Sequence, residues 1–188
     1  MSKIPRRGAL LGLALLLAAC ASLAPAPRVV EISEARLAAL IAREFPRQGR
    51  YLEVFDIALE APRLKLMSEH NRIGTQLPYR LGGPLSGGRQ YEGLLQLSYG
   101  LRFEPSDSSV RLTDVRVEEF QLAGLPPAQQ RRVAGLGGLL AQDLLQDFAI
   151  HRFRPEELQA VGRRGLQPGA LRVVPGAVQL ELVPVERP

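Results

Sequence analysis

The stretch LLQLSYGLRF, residues 94–103, constrains the fold more than any other. Leu95, Leu97, Tyr99, Leu101 and Phe103 fall on one side of a period-two pattern, and Gln96, Ser98, Gly100 and Arg102 on the other. Such sustained alternation specifies a strand with one buried and one wet face, the habit of antiparallel sheets. EPSDSS (104–109) is a turn, and VRLTDVRVEEF (110–120) brings the chain back as a partner strand. The apolar phase of that return slips between Leu112 and Val115, so a β-bulge or bend is expected there. A bent sheet is what a wrapped architecture needs.

The helices have readable ends. In ISEARLAALIAREFP (32–46), Ser33 is placed as N-cap, Leu37, Leu40 and Ile41 share a face, and Pro46 closes the segment. In PPAQQRRVAGLGGLLAQDLLQDFAIHRF (126–153) the two prolines are placed to start a helix near 127–150. Val133, Leu136, Leu140, Leu144 and Phe148 recur at spacings of three and four, and Leu139, Ala141 and Leu145 widen the stripe. Gly135, Gly137 and Gly138 interrupt its first half, each at a cost of about 0.5–1 kcal/mol relative to alanine. Either the sheet backbone passes close there, or the helix is loose enough to admit a guest. Elsewhere, residues 51–67 read as short strands broken at APR, and residues 71–90 as Gly/Pro-rich loops around one short edge strand. A short helix at 155–162 and a hairpin at 171–184, turning at Pro175-Gly176, complete the chain.

The N-terminus has its own pattern. Basic residues Lys3 to Arg7 precede an apolar run from Ala9 to Ala19, which ends at Cys20, the single cysteine of the 188 residues. That order is the layout of a secretory signal, and the run is shorter than the roughly 20 apolar residues a spanning helix needs. Leu17-Ala18-Ala19-Cys20 resembles the lipobox of bacterial lipoproteins. The resemblance implies cleavage before Cys20, diacylation of its sulfur and acylation of its new amine, which together anchor stably where one chain would not. Ala21 and Ser22 follow, with no aspartate in second place, a pattern similar to that of lipoproteins released to the outer membrane. Residues 1–19 are thus expected to be a signal peptide, 20–29 a lipidated cysteine with a Pro/Ala tether, and 30–188 one domain.

Composition then narrows the function. The formal net charge of +5 owes Lys3, Arg6 and Arg7 to the signal region, and without them 21 basic residues face 19 acidic ones. Trp is absent and aromatics are 5%, a poor supply of the stacking platforms that nucleic-acid binding uses. His70 and His151 are 81 positions apart with no cysteine companion, so no metal site and no cofactor are expected. Asp143 and Asp147, at i and i+4, read as the solvated face of the long helix. GPLSG (83–87) misplaces the serine of a hydrolase elbow, and no G-K-[ST] follows GLGG (135–138). No nucleophile, base and orienting group assemble, so no enzymatic activity is expected.

The lipobox, the ISEARLAALIAREFP helix, the strand pair GLLQLSYGLRF…VRLTDVRVEEFQLAGLP, the long helix and the terminal LRVVPGAVQLEL together resemble the YceB-like bacterial lipoproteins, from about Val30 to Val183. That family is similar in architecture to tubular lipid-binding (TULIP-like) domains. The resemblance implies an α+β domain in which a strongly curved antiparallel sheet wraps one long helix, with an N-terminal helix covering an end. It further implies an apolar groove between helix and sheet. Candidate lining residues are Leu95, Leu97, Tyr99 and Leu101 of the strand and Leu136, Leu140, Leu144 and Phe148 of the helix, which would equally form an ordinary filled core. The expectation is an outer-membrane lipoprotein binding a lipid or other hydrophobic ligand on the periplasmic side. Its alternative is a lipoprotein that docks onto envelope machinery with no small ligand.

Overall fold

The computed structural model describes residues 26–43, 45–51, 55–84 and 88–185. Cys20 and the signal region therefore lie outside the described residues. The elements run β1 (Arg28–Ser33), α1 (Glu34–Ala42), β2 (Arg47–Tyr51), β3 (Phe55–Leu59), β4 (Arg63–Met67), β5 (Arg72–Gly82), β6 (Tyr91–Glu104) and β7 (Ser109–Leu122). They continue through α2 (Pro127–Leu145), β8 (Ala149–Arg152), α3 (Pro155–Gly162), β9 (Leu166–Val174) and β10 (Ala177–Pro184). All pairings are antiparallel. Seven strands form a strongly curled sheet in the order β2-β3-β5-β6-β7-β8 with β4 also on β5, and β1-β10-β9 form a second, three-stranded sheet.

The β6–β7 pair is the spine, and its curl has a local cause. Phe103 pairs with Val110, Leu101 with Leu112, Leu97 with Val117 and Leu95 with Phe120. Two register shifts make this possible. Asp114 and Val115 together oppose Tyr99, and Glu118 has no counterpart between Gln96 and Leu97. Each shift adds one residue to β7, so Val110, Leu112, Val115, Val117, Phe120 and Leu122 all keep the apolar face while the strand bends. The first is the slip expected between Leu112 and Val115, and there Asp114 takes a left-handed φ of 48°. The Arg72 guanidinium secures it, donating to the Asp114 carbonyl at 2.6 Å and to the Ser98 carbonyl at 2.7 Å.

The region expected to be loops holds β5, an eleven-residue internal strand. Pro78 argues against such a strand in the sequence, because proline cannot donate within a ladder. It sits where β5 changes partners: Arg72–Gln76 face β4 and Tyr79–Gly82 face β3, while the Pro78 carbonyl accepts the Glu60 N–H at 3.0 Å. Between the two ladders no N–H is required of it.

One buried cluster joins both sheets, with Ile73, Leu95, Leu97, Tyr99, Leu112 and Val115 from the larger and Val173 and Val178 from the smaller. Asn71, at a left-handed φ of 52°, accepts the Val173 N–H at 2.7 Å and pins the two together. In α1, the Ser33 hydroxyl accepts the Arg36 N–H as the sequence anticipates. The final hairpin turns at Pro175-Gly176, with Gly176 at φ 76°.

The longest helix departs from expectation twice. It ends at Leu145 rather than near 150, because Asp147 takes a left-handed φ of 64° and the chain becomes β8. That turn is clamped: the Asp147 carboxylate pairs with Arg102 and with Arg111 at 2.9 Å, and the Asp147 N–H donates to the Leu112 carbonyl. Asp147 is therefore not a partner of Asp143 on a solvated helix face. Nor does the sheet enclose the helix. α2 packs on β7, and none of its residues is fully buried.

A candidate hydrophobic cleft between helix and sheet

α2 lies along β7, held at both ends by side-chain amides. The Gln146 Oε1 accepts the Val115 N–H at 3.1 Å, and the Gln130 amide, turned to pair with both groups, reaches the Leu122 N–H and carbonyl. Sixteen helical residues and seven strand residues each cover about 24 Å, so the two elements match in length. Between these ends the contact is close. The Phe120 ring packs against Tyr79 at a centroid distance of 5.5 Å and lies close to α2 at Gly137. A Cβ on Gly137 would come 2.7 Å from that ring, whereas a Cβ on Gly138 would make ordinary contact with Val117 at 3.5 Å. Tyr79 is fixed by donating from its hydroxyl to the Gln121 carbonyl at 2.7 Å, and burial pushes its phenol well above the usual range.

Gly135 differs from its neighbours. A Cβ there would meet nothing within 4 Å, because Gly135 borders a solvent-open cleft of about 520 Å³ between α2 and β7. Its apolar lining is Val117, Phe120, Ala134, Gly138 and Leu139, and its polar lining includes Glu118, Glu119, Gln130, Arg131 and Gln142. The volume falls within the range of about 300–1,000 Å³ usual for ligand sites. The two glutamates are engaged by neighbours. Glu118 accepts the Ser98 hydroxyl at 2.8 Å, and Glu119 accepts from the amides of Gln96 and Gln121. A second open concavity, of about 450 Å³, lies at the far end of β6 and β7 around Gly93, Leu122 and Leu125.

The eight candidate lining residues separate into two places. Leu95, Leu97 and Tyr99 are 7%, 5% and 8% exposed in the closed core, where the Tyr99 hydroxyl meets that of Thr75 at 2.9 Å, and Leu101 packs against the same cluster. Leu136, Leu140 and Leu144 are 67%, 63% and 73% exposed on α2, and Phe148 is exposed beyond its end. The structure brings no strand candidate to an open groove shared with the helix candidates, and none of the eight borders the cleft. The sequence does not single out Val117 and Phe120, because the slip in β7 obscures its apolar phase, and Leu139 only widens the helical stripe. The glycines mark two different surroundings: at Gly137 the close neighbour is the Phe120 ring rather than sheet backbone, and at Gly135 there is open space.

Among the described residues no three His, Cys, Asp or Glu side chains group as a metal site would, and no helix is long and apolar enough to cross a membrane. His151 instead packs edge-on to Phe153 at 4.9 Å.

No family model matches the chain, and no curated protein matches it, so the YceB-like resemblance gains nothing from these comparisons. Among solved structures, the crystal structure of a lipopolysaccharide binding protein is similar at a TM-score of 0.37 and 10% identity. The match covers 85% of this chain but 41% of that one, and at such a score the likeness carries no argument about this chain's ligand.

Proposed function

We propose that the chain is an outer-membrane lipoprotein, anchored through acylated Cys20, whose domain binds a lipid or other hydrophobic ligand from the periplasmic side in the cleft between β7 and α2. The observation that carries the ligand reading is the apolar floor of that cleft, Val117, Phe120, Gly138 and Leu139, opening past a glycine whose missing side chain serves no internal packing. The lipobox supports the anchor.

Native mass spectrometry of the mature protein tests the ligand reading, with reproducible co-purifying lipid mass as the expected result. Gly135→Leu would fill the cleft mouth and reduce that mass. A clean apo mass, with no uptake of a fluorescent fatty acid, removes carriage and leaves docking without a small ligand. Labelled palmitate tests the anchor independently: incorporation is expected in the native chain and not in Cys20→Ala.

A further inference from the structure

The helix has a second unpartnered surface, distinct from the cleft. At about 100° per residue, Leu136, Leu140 and Leu144 form a row beside the packed Val133, Gly137, Ala141 and Leu145, on the side away from Gly135 and Gln142. Phe148 and Ile150, which follow in the chain beyond the helix, are 51% and 48% exposed. Contiguous exposed apolar surface is characteristic of interaction sites.

We infer that this row is the face by which the domain lies on an anionic lipid bilayer. Shape selects a plane over a single bound molecule. None of the five side chains lines either concavity, whereas small ligands are held in clefts that bury most of their surface. A ridge of leucines with a phenylalanine is instead the form of a helix that settles into a bilayer interface.

Charge selects the lipid. Exposed Arg132 lies one turn before Leu136, about 40° from it around the helix, and exposed Arg152 and Arg154 follow Ile150 in the chain. Arginine stems can lie along apolar surface while their heads pair with phosphates. α2 contains one acid, Asp143, which borders the row three residues after Leu140 and leaves the arginines in excess. Asp147 is held by Arg102 and Arg111, and Arg152 reaches Asp107 only at 3.4 Å. Reach agrees as well, though this point rests on the Cys20 reading. Cys20 and Arg28 are eight steps apart along the chain and at most about 29 Å apart in space, so an anchored domain stays close to the bilayer.

The absence of tryptophan makes the test direct. Leu140→Trp, in the otherwise native mature protein, is reconstituted with vesicles of phosphatidylglycerol and phosphatidylethanolamine carrying brominated acyl chains. The expected result is a blue shift of the introduced indole and loss of its intensity to bromine. Both should weaken in phosphatidylcholine vesicles, in 1 M salt and in the Arg132→Gln background. Gln159→Trp, on exposed α3, should show neither. An unshifted, unquenched indole at position 140 while the protein floats with the vesicles overturns the proposal. So does a blue shift that is already complete without lipid, which would assign the row to self-association. Failure to float at all refutes the anchor alone, since the position-140 signal is still read at high vesicle concentration.

Discussion

Leu97 in β6 and Leu140 in α2 are the same side chain in opposite circumstances, 5% exposed in one case and 63% in the other. Each belongs to a regular apolar pattern, period two on the strand and a four-residue row on the helix. The strand pattern is closed by the smaller sheet and by Val133, Ala141 and Leu145 of the helix. The helical row has no partner among the described residues. Periodicity therefore reports that a face is apolar, and says nothing of what covers it. In this molecule the difference turns on Gly137 and Gly138, which allow α2 to sit on Phe120 and Val117 by its narrow side and leave the larger leucines outward.

The contrast can be broken most severely at the core. Leu97→Ala should cost about 2–5 kcal/mol in urea unfolding, because the cavity it leaves cannot be filled by water. Next comes the seam. Gly137→Ala places a methyl 2.7 Å from the Phe120 ring, and overpacking of about 1–3 kcal/mol should exceed the gain in helix propensity. Gly135→Ala, only two residues away, should stabilise by about 0.5–1 kcal/mol, since open space accepts its methyl. If Gly135→Ala and Gly137→Ala behave alike, the helix does not sit on Phe120 as described. Leu140→Ala should change stability by no more than about 0.5 kcal/mol. A cost near that of Leu97→Ala would place the row in a core instead.

The smallest effect concerns the clamp that ends α2. Arg102 pairs with both Glu104 and Asp147, and together with the Ser106 hydrogen bonds it holds the Glu104 carboxyl at about 2. A carboxyl depressed in the folded state adds stability above its unfolded value of about 4.5, and that stability is lost as pH falls toward 2. The Tm of the native protein should therefore fall more steeply over that window than the Tm of Glu104→Gln. Equal slopes would show that the pair contributes nothing to folding.

The strand pair, the bulge near Leu112, the N-cap at Ser33, the short helix at 155–162 and the final hairpin were legible because each is written in adjacent residues. β5 was not, since Pro78 is acceptable only at a junction between two partner strands that lie elsewhere in the chain. The end of α2 was hidden for a similar reason. Phe148 continues the helical spacing, but Arg102 and Arg111, some forty residues upstream, hold Asp147 in the left-handed turn that stops it. The cleft escaped because it is a place where side chains are missing. A sequence displays its leucines, and a space above Gly135 has no letter of its own.

The two bulges of β7 have a consequence for how this chain can change length over generations. A strand that already contains an out-of-step residue has a spare position. Losing Asp114 or Glu118 should restore ordinary pairing and keep every later side chain on its proper face, with a straighter sheet as the result. Losing Arg116, between them, should turn part of the apolar face toward water. Lineages of this protein are thus expected to gain and shed single codons at those two points, and so to adjust the curl of the sheet without rewriting its core.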